Sequence, residues 1–255
     1  RFIDPASGEL NLPTKAAVMD QLAFDQAVAA GLPASSLVVT GHPYLEGLAM
    51  ELRKPEVMEN AELLRRLWLG EFGARNEMTL VLFASEALTL DLGPVNPGYP
   101  AYTQFDALDG LVEAVGLLES RTDSDIGVLV KLHPEESVES YRMGDLAIQR
   151  DVHVVAGQPP WPCMLASDVV VGMTSMFLLE SAIAGTPTIS FQPDVSRPDS
   201  FVGTRTGVVP AVTSVQELAS ALEGFLDKKG PRHDSDQAAP GAIGLAKPGA
   251  TRRIV

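Results

Sequence analysis

Short apolar, β-branched segments alternate with helical patterns along most of this 255-residue chain. The segments are typical of strands, because Val, Ile and Thr favour an extended backbone and the runs are too short for buried helices. Strands that are apolar along their whole length are buried on both faces, and the intervening helices supply the cover. The pattern therefore predicts an α/β fold, a doubly wound parallel sheet of Rossmann-like type.

The predicted elements divide the chain unevenly. The predicted strands cover 36–40, 78–84, 126–132, 152–155, 168–172, 186–191 and 206–212. The predicted helices lie near 15–30, 56–69, 103–120, 136–148, 174–184 and 214–228. We expect the main α/β domain in 51–228, the end of a preceding domain and an inter-domain segment in 1–50, and a loose tail in 229–255. The start on Arg1, without Met, suggests a piece of a longer polypeptide.

The composition and net charge limit the kinds of ligand that this chain is expected to bind. The formal net charge is −14 and the pI is about 4.6, so long-range forces repel nucleic acid and anionic membranes. A phosphate-bearing ligand must therefore be held by local donors. One cysteine, Cys163, excludes an internal disulfide, and the four histidines lack metal-ligand spacing, so we expect neither a metal nor another cofactor. No apolar run approaches the ~20 residues of a membrane helix, and we expect a cytoplasmic protein, at most peripheral to the inner membrane face.

The segment "DVVVGMTSMFLLESAIAGTP", residues 168–187, changes from a buried strand to a helix at a glycine and two hydroxyls. Gly172 permits a turn and the close approach of a ligand. Thr174 and Ser175 are good helix caps, and the unpaired N–H groups of a helix start favour an anion. Glu180 is the only charge on that helix, and it either faces solvent or accepts hydrogen bonds from a sugar. A simple helix cap remains the alternative to a phosphate site.

The segment "VLVKLHPEES", residues 128–137, places Lys131 and His133 at the end of another buried strand. Alternation puts both side chains on the same side of the strand end, where a cation and an imidazole suit a phosphate or a nucleobase edge. A surface lysine beside a packed histidine is the alternative. Because the carboxyl ends of parallel strands meet at one edge of a sheet, this motif and Thr174–Ser175 together predict a nucleotide pocket.

Residues at other strand ends are weaker candidates for the lining of the cleft. They are Gly41, His42, Ser85, Glu86 and Gln192. Gly41 and His42 also fit an ordinary turn, and Gln192 a solvated loop. His153 lies inside a strand pattern and reads as a packed histidine. Cys163 has no basic neighbour in the sequence that would lower its pKa, so it is not predicted as a nucleophile.

Two of these motifs resemble those of a known superfamily. The run Glu180-Ser-Ala-Ile-Ala-Gly185-Thr-Pro187 is similar to the "E-A-x-x-x-G-x-P" pattern of GT-B-type glycosyltransferases, in their carboxy-terminal, donor-binding half. The Lys131-x-His133-Pro element is similar to one in bacterial sialyltransferases, polysialyltransferase-like proteins and the glycerophosphotransferases of wall teichoic acid synthesis. The resemblance covers roughly residues 75 to 228 and is moderately specific for the superfamily.

The resemblance implies a function and an assignment of residues. His133 is expected to contact a donor nucleotide, Thr174 and Ser175 its phosphate, and Glu180 the ribose. The chain would be the donor half of a nucleotide-sugar-dependent glycosyltransferase in polysaccharide or glycoconjugate synthesis, acting on a glycan or lipid-linked acceptor. The catalytic base would lie outside it. The alternatives are a protein like the non-hydrolysing UDP-sugar 2-epimerases, whose Ser-Gly-Gly is absent here, and a nucleotide-binding α/β module without turnover.

Overall fold

The computed structural model describes residues 13–73, 78–91, 101–142, 152–193, 199, 201–226 and 249–254. The strands are β1 Ala16–Val18, β2 Leu37–Val39, β3 Thr79–Ala84, β4 Ile126–Lys131, β5 Val152–Val155, β6 Val169–Gly172, β7 Thr188–Phe191 and β8 Ala211–Val212. The helices are α1 Gln21–Ala29, α2 Pro43–Glu51, α3 Pro55–Glu71, α4 Leu88–Asp91, α5 Gln104–Glu119, α6 Val138–Arg142, α7 Pro160–Ala166, α8 Met176–Ile183, α9 Val202–Arg205, α10 Val215–Leu226 and α11 Ala250–Ile254.

The elements fall into two compact units, with the boundary between Met50 and Glu51. Residues 249–254 belong to the first unit. In that unit β1 and β2 form a parallel pair with Ala16 opposite Leu37. The predicted helix near 15–30 is therefore wrong at its start, since 16–18 pairs as a strand and α1 begins at Gln21, after the cap Asp20.

The last helix of the chain is held within the first unit by polar contacts. The Glu46 carboxylate accepts hydrogen bonds from the N–H groups of Gly249 and Thr251. Arg253 Nε donates to the carbonyl oxygen of Thr40 at 2.8 Å. The predicted tail in 229–255 otherwise lies outside the described residues.

The second unit contains a six-stranded parallel sheet in the order β5-β4-β3-β6-β7-β8. Chain order runs outward in both directions from β3, so the direction of winding reverses between β3 and β6. This is the strand order of a Rossmann-like sheet, and the prediction of a doubly wound α/β fold is confirmed. In such sheets ligands bind beyond the carboxyl ends of the strands at the reversal point.

The registers bring three strand ends to one level. Ala84, the last residue of β3, lies opposite Lys131 at the end of β4 and opposite Gly172 at the end of β6. The segments that follow these three residues therefore leave the sheet side by side. This arrangement positions the candidate site.

Helices cover both faces of the sheet. One cluster joins α5 and α10 to the inward side chains of the central strands. Its strand members are Val81, Phe83, Ile126, Val128, Val130, Val169, Val171, Ile189 and Phe191. The side chains that alternate with these, including Leu80, Leu82, Leu129 and Val170, are fully buried as well, and α7, which packs on α3, contacts β3. Full burial of both sets explains why the strands read as continuous apolar runs.

Several predicted elements have different bounds in the structure. The strand predicted at 206–212 is confined to Ala211–Val212, because the preceding residues close the short helix α9 and its turn. The helix predicted near 136–148 is described only as Val138–Arg142, and the rest lies outside the described residues. Helices α2 and α7 were not predicted. Both begin at or next to proline and are short, so their period is weak in the sequence.

A buried ion pair ties α3 to the amino ends of β3 and β6. Arg65 Nη2 lies 2.9 Å from Asp168 Oδ2, which also accepts a 2.7 Å hydrogen bond from the N–H of Leu80. Arg65 Nη1 donates to the carbonyl oxygen of Ala166 at 2.8 Å. The guanidinium therefore links one helix to both strands that flank the reversal point, at the edge opposite the candidate site.

We expect Asp168→Ala to lower the free energy of unfolding by about 3 kcal/mol, because it removes the carboxylate that lies 2.9 Å from the buried Arg65 guanidinium and accepts the Leu80 N–H. Urea unfolding followed by circular dichroism measures the loss. Glu62→Ala is the control, since Glu62 pairs with Arg66 on an exposed helix surface and such pairs contribute little. Equal losses in the two variants would contradict the account.

Candidate functional site

A cleft of about 560 Å³ opens beyond the carboxyl ends of β3 and β4 and beside the start of α8. Its volume lies within the usual range for a small-molecule site. Its polar lining includes Ser85, Lys131, His133, Glu136, Gln158, Ser175 and Glu180. Two motifs that the sequence separates by some forty residues therefore face one cavity. The structure brings Lys131 and His133 together with Ser175 and Glu180.

The His133 segment is held against the end of β3 by Glu136. One carboxylate oxygen of Glu136 accepts hydrogen bonds from Ser85 Oγ at 3.0 Å and from the Tyr141 hydroxyl at 2.7 Å. The other accepts the N–H of His133 at 2.9 Å. Ser85 Oγ and the Tyr141 hydroxyl also contact each other, and burial raises the pKa of Tyr141. Three neutral donors thus satisfy Glu136 and fix where the imidazole stands.

The imidazole of His133 has a preferred tautomer. Its Nδ1 accepts a long hydrogen bond, 3.4 Å, from the N–H of Glu135. An accepting Nδ1 carries no proton, so in the neutral ring Nε2 is the donor. His133 is half-buried in the lining of the cleft. The ring can therefore offer one N–H to an acceptor such as a phosphate oxygen or a carbonyl oxygen.

Lys131 supplies a positive charge to the cleft. It is half-buried, and its Nζ lies 5.8 Å from the centroid of the Phe177 ring, a cation–π distance. It also acts on Cys163: the nearby ammonium lowers the pKa of the thiol, but burial outweighs it and raises that pKa to about 12. Lys131 is thus a basic neighbour in space that the sequence around Cys163 does not reveal. The thiol is nevertheless neutral at physiological pH.

Glu86 is bound to the start of α8. Its Oε1 accepts hydrogen bonds from the N–H groups of Met173 at 3.2 Å, Thr174 at 2.5 Å and Ser175 at 2.8 Å. Its Oε2 accepts the Thr174 hydroxyl at 2.7 Å. The carboxylate is buried, and burial raises its pKa while the four donors oppose the rise. The N–H groups that the sequence suggested for a phosphate are engaged by the chain's own carboxylate.

Ser175 caps α8 in the expected way. Its Oγ accepts the N–H of Phe177 at 3.2 Å, and its side chain also lines the cleft. Glu180, one helical turn further along, is half-buried and lines the same cavity. The Ser175 side chain can therefore cap α8 and still face a ligand in the cleft.

Gly172 and Thr174 serve other purposes than the sequence suggested. A Cβ on Gly172 would lie 3.0 Å from the carbonyl oxygen of Ala84 and 3.0 Å from Leu178, so glycine is needed there for close packing of β6 on β3 and α8. Its φ is not positive, and neither residue is part of the cleft lining. In this structure Gly172 thus has a packing role. Thr174 holds Glu86.

The remaining cleft candidates have different places. Ser85 lines the cleft, whereas Gln192 is buried, with its Nε2 donating to Ser190 Oγ at 3.0 Å, and is not in the lining. Gly41 and His42 belong to the first unit, where Gly41 has a positive φ of 85° and follows Thr40. The positive φ supports the turn reading of that pair. His153 packs in β5 with its ring 4.2 Å from that of Phe72.

Sequence reasoning missed Gln158 in the lining, and Glu136 and Tyr141, which hold the site together. Glu136 reaches back across a turn to the N–H of His133, three residues earlier. Tyr141 carried no signal, because its partner Ser85 is 56 residues away. Among the described residues no group of three or more His, Cys, Asp or Glu is placed to hold a metal ion. Nor does any helix in the described ranges have the length and apolar character needed to cross a membrane.

We expect Glu86→Gln to change the pH dependence of stability. Since burial raises the pKa of Glu86, the folded protein binds more protons than the unfolded chain above pH 4.5, and stability falls as pH rises through the raised pKa. The free energy of unfolding of the wild type, minus that of Glu86→Gln, should therefore be larger near the ordinary pKa of 4.5 than at a pH above the raised value. Urea unfolding over a series of pH values from 4.5 upward measures the difference. A difference that rises with pH would show that the hydrogen bonds outweigh burial.

The comparisons with known proteins show the fold. No family model and no curated protein sequence matches the chain. The structures of UDP-GlcNAc 2-epimerases from Neisseria meningitidis, bound to UDP-GlcNAc, and from Methanocaldococcus jannaschii, in complex with UDP-GlcNAc and UDP, are similar, with TM-scores of 0.58 and 0.59 at 14% identity. The match covers 94% of this chain and 59% and 60% of those chains.

The wall teichoic acid polymerase TagF is also similar, with a TM-score of 0.50 and 13% identity over 94% of this chain and 54% of that one. This chain thus spans less than two thirds of the length of the proteins it resembles. The second unit is a Rossmann-like α/β domain, and the similar structures support the GT-B type of fold that the sequence motifs suggested.

Proposed function

We propose that this chain is the donor-binding half of a GT-B-type glycosyltransferase that uses a nucleotide sugar. The observation that carries the proposal is the meeting of Lys131 and His133 with Ser175 and Glu180 in one cleft beyond the carboxyl ends of the strands. That is the position where doubly wound sheets bind nucleotides. Similar structures with UDP-GlcNAc or UDP bound add support, through the fold they share with this chain.

The chemistry of the lining suits the leaving group of such a donor. Transfer of a sugar leaves negative charge on a nucleotide phosphate, and a fixed cation and N–H donor stabilise that charge as it develops. Lys131 provides the cation and His133 Nε2 the donor. Ser175 and Glu180 suit the hydroxyl groups of a ribose or a sugar, Ser175 as donor or acceptor and Glu180 as acceptor. The nucleotide sugar is a substrate, and the proposal needs no further cofactor.

The rest of the reaction would be completed by residues outside this chain. In the proposal, the base that activates the acceptor hydroxyl belongs to an acceptor-binding domain, and the acceptor is a glycan or lipid-linked glycan of a surface polysaccharide or glycoconjugate. The protein would work in the cytoplasm or at the inner membrane face. The negative charge of the chain, −14, supports an acceptor that is not a nucleic acid.

A UDP-sugar 2-epimerase is the second candidate. It is favoured by the similar structures with bound UDP-GlcNAc, which belong to UDP-GlcNAc 2-epimerases. Incubation of the protein with UDP-GlcNAc in deuterated water separates the two candidates. Inversion at C2 with incorporation of deuterium, followed by proton NMR, would favour the epimerase, and saturable binding of UDP-GlcNAc without inversion would favour the donor half of a transferase.

Calorimetric titration with UDP, CMP, CDP and GDP tests the binding site itself. We expect one of these nucleotides to bind saturably. Lys131→Met and His133→Ala should each lower the affinity for that nucleotide about tenfold, which corresponds to about 1.4 kcal/mol. The lost interactions are one charge contact and one hydrogen bond.

The matched controls for this titration lie away from the cleft. Lys54→Met removes an exposed lysine that pairs with Glu51, and His153→Ala removes the histidine packed in β5. Both should bind the nucleotide like the wild type if they are folded. If the folded wild-type protein binds none of the four nucleotides, the proposal is contradicted. The interpretation as a non-catalytic α/β module would then be favoured.

A further inference from the structure

Glu86 takes the place that an anion would occupy at the start of α8. Three successive N–H groups, from Met173 to Ser175, and the Thr174 hydroxyl all donate to its carboxylate. These N–H groups belong to the turn that leads into α8, up to its cap Ser175. Successive N–H groups of such a turn form a site for a negatively charged oxygen pair, and the positive end of the helix dipole next to them favours the charge. The carboxylate has the same two-oxygen geometry as part of a phosphate. We call these four donors the α8 seat.

The α8 seat is saturated by Glu86. Each of its four donors already has a carboxylate oxygen within 3.2 Å. A phosphate could use these donors only if the buried carboxylate left them. A phosphate that bound next to them would stand beside a like charge. Both possibilities are unfavourable, because a buried charge that loses its partners costs free energy and like charges repel.

The cleft next to the seat offers a different place for a phosphate. Lys131 is the cation in its lining, and His133 adds a donor. Glu136 and Glu180 are the acids of the same lining. The positive charge of the cleft therefore lies at the end of β4 and not at the start of α8.

We propose that Glu86 is a specificity-determining residue of the donor site, whose carboxylate fills the α8 seat and confines the phosphate of the donor to the Lys131 side of the cleft. This inference rests on the proposed function for its ligand. It reverses the assignment that the sequence motif suggested, in which the start of α8 holds the phosphate. The motif residues Met173 to Ser175 then serve to bind an internal anion, which orients α8 beside the cleft.

The first test is chemical rescue of the emptied seat. In Glu86→Ala the four donors lose their acceptor, and we expect inorganic phosphate to raise the thermal midpoint of the variant by several degrees while it leaves the wild type unchanged. Glu217→Ala is the matched control. Glu217 also caps a helix by accepting the N–H groups of Thr213 and Ser214 and the Thr213 hydroxyl, but it is exposed, so water replaces it. A Glu86→Ala variant that does not respond to phosphate would overturn the proposal.

Glu86→Gln serves if the alanine variant does not fold. The amide keeps the size of the side chain and removes the charge. We expect several-fold tighter binding of the nucleoside diphosphate that the wild type prefers, because the like charge next to the phosphate is gone. Unchanged or weaker binding by this variant would overturn the proposal.

The second test locates the phosphate in the wild-type site. We expect Lys131→Met to lower the affinity for the nucleoside diphosphate about tenfold. Thr174→Val should leave this affinity unchanged. Equal weakening by both would show that the phosphate displaces Glu86 and uses the α8 seat, which would overturn the proposal. If the wild type binds no nucleotide, the proposed function fails, whereas the phosphate rescue of Glu86→Ala still decides whether Glu86 fills an anion seat.

Discussion

Parallel pairing of β3 with both β4 and β6 is the constraint on which the candidate site depends. Because Ala84 lies opposite Lys131 on one side and Gly172 on the other, three chain segments leave the sheet at one level. A slip of register by one residue would turn Lys131 to the other face of the sheet and separate it from the start of α8. The absence of a Cβ at Gly172 lets β6 and α8 pack closely on the end of β3.

Two carboxylates near the cleft, those of Glu86 and Glu136, hold chain segments together by accepting hydrogen bonds. Glu136 joins the ends of β3 and β4 by accepting from Ser85, Tyr141 and His133. Glu86 joins the end of β3 to the start of α8. In a chain with a net charge of −14, two half-buried acids thus accept hydrogen bonds from neutral donors and do not occupy Lys131. An acidic protein can in this way retain a local site for a phosphate.

The sequence predicted the fold better than the details of the site. Fully buried strands such as Thr79–Ala84 and Ile126–Lys131 read as continuous apolar runs, and capped helices such as Gln104–Glu119 keep a clear period, so both were predicted within a residue or two. The strand Ala16–Val18 was missed because its three small residues resemble the helix that follows. Glu86 was a candidate for the lining, but its partner Thr174 is 88 residues away, and no local pattern reports such a contact.

The most direct test of the account is a nucleotide titration followed by NMR, with assigned backbone amides in the full chain. If the cleft is the donor site, the nucleotide that binds should shift the amides of Lys131, His133 and the other lining residues in one saturable process. The amides of Met173 and Thr174 should keep the downfield positions of N–H groups that are bound to a carboxylate. Shifts that are confined to other parts of the chain, or a folded protein without shifts, would contradict the assignment of the cleft as a nucleotide-sugar site.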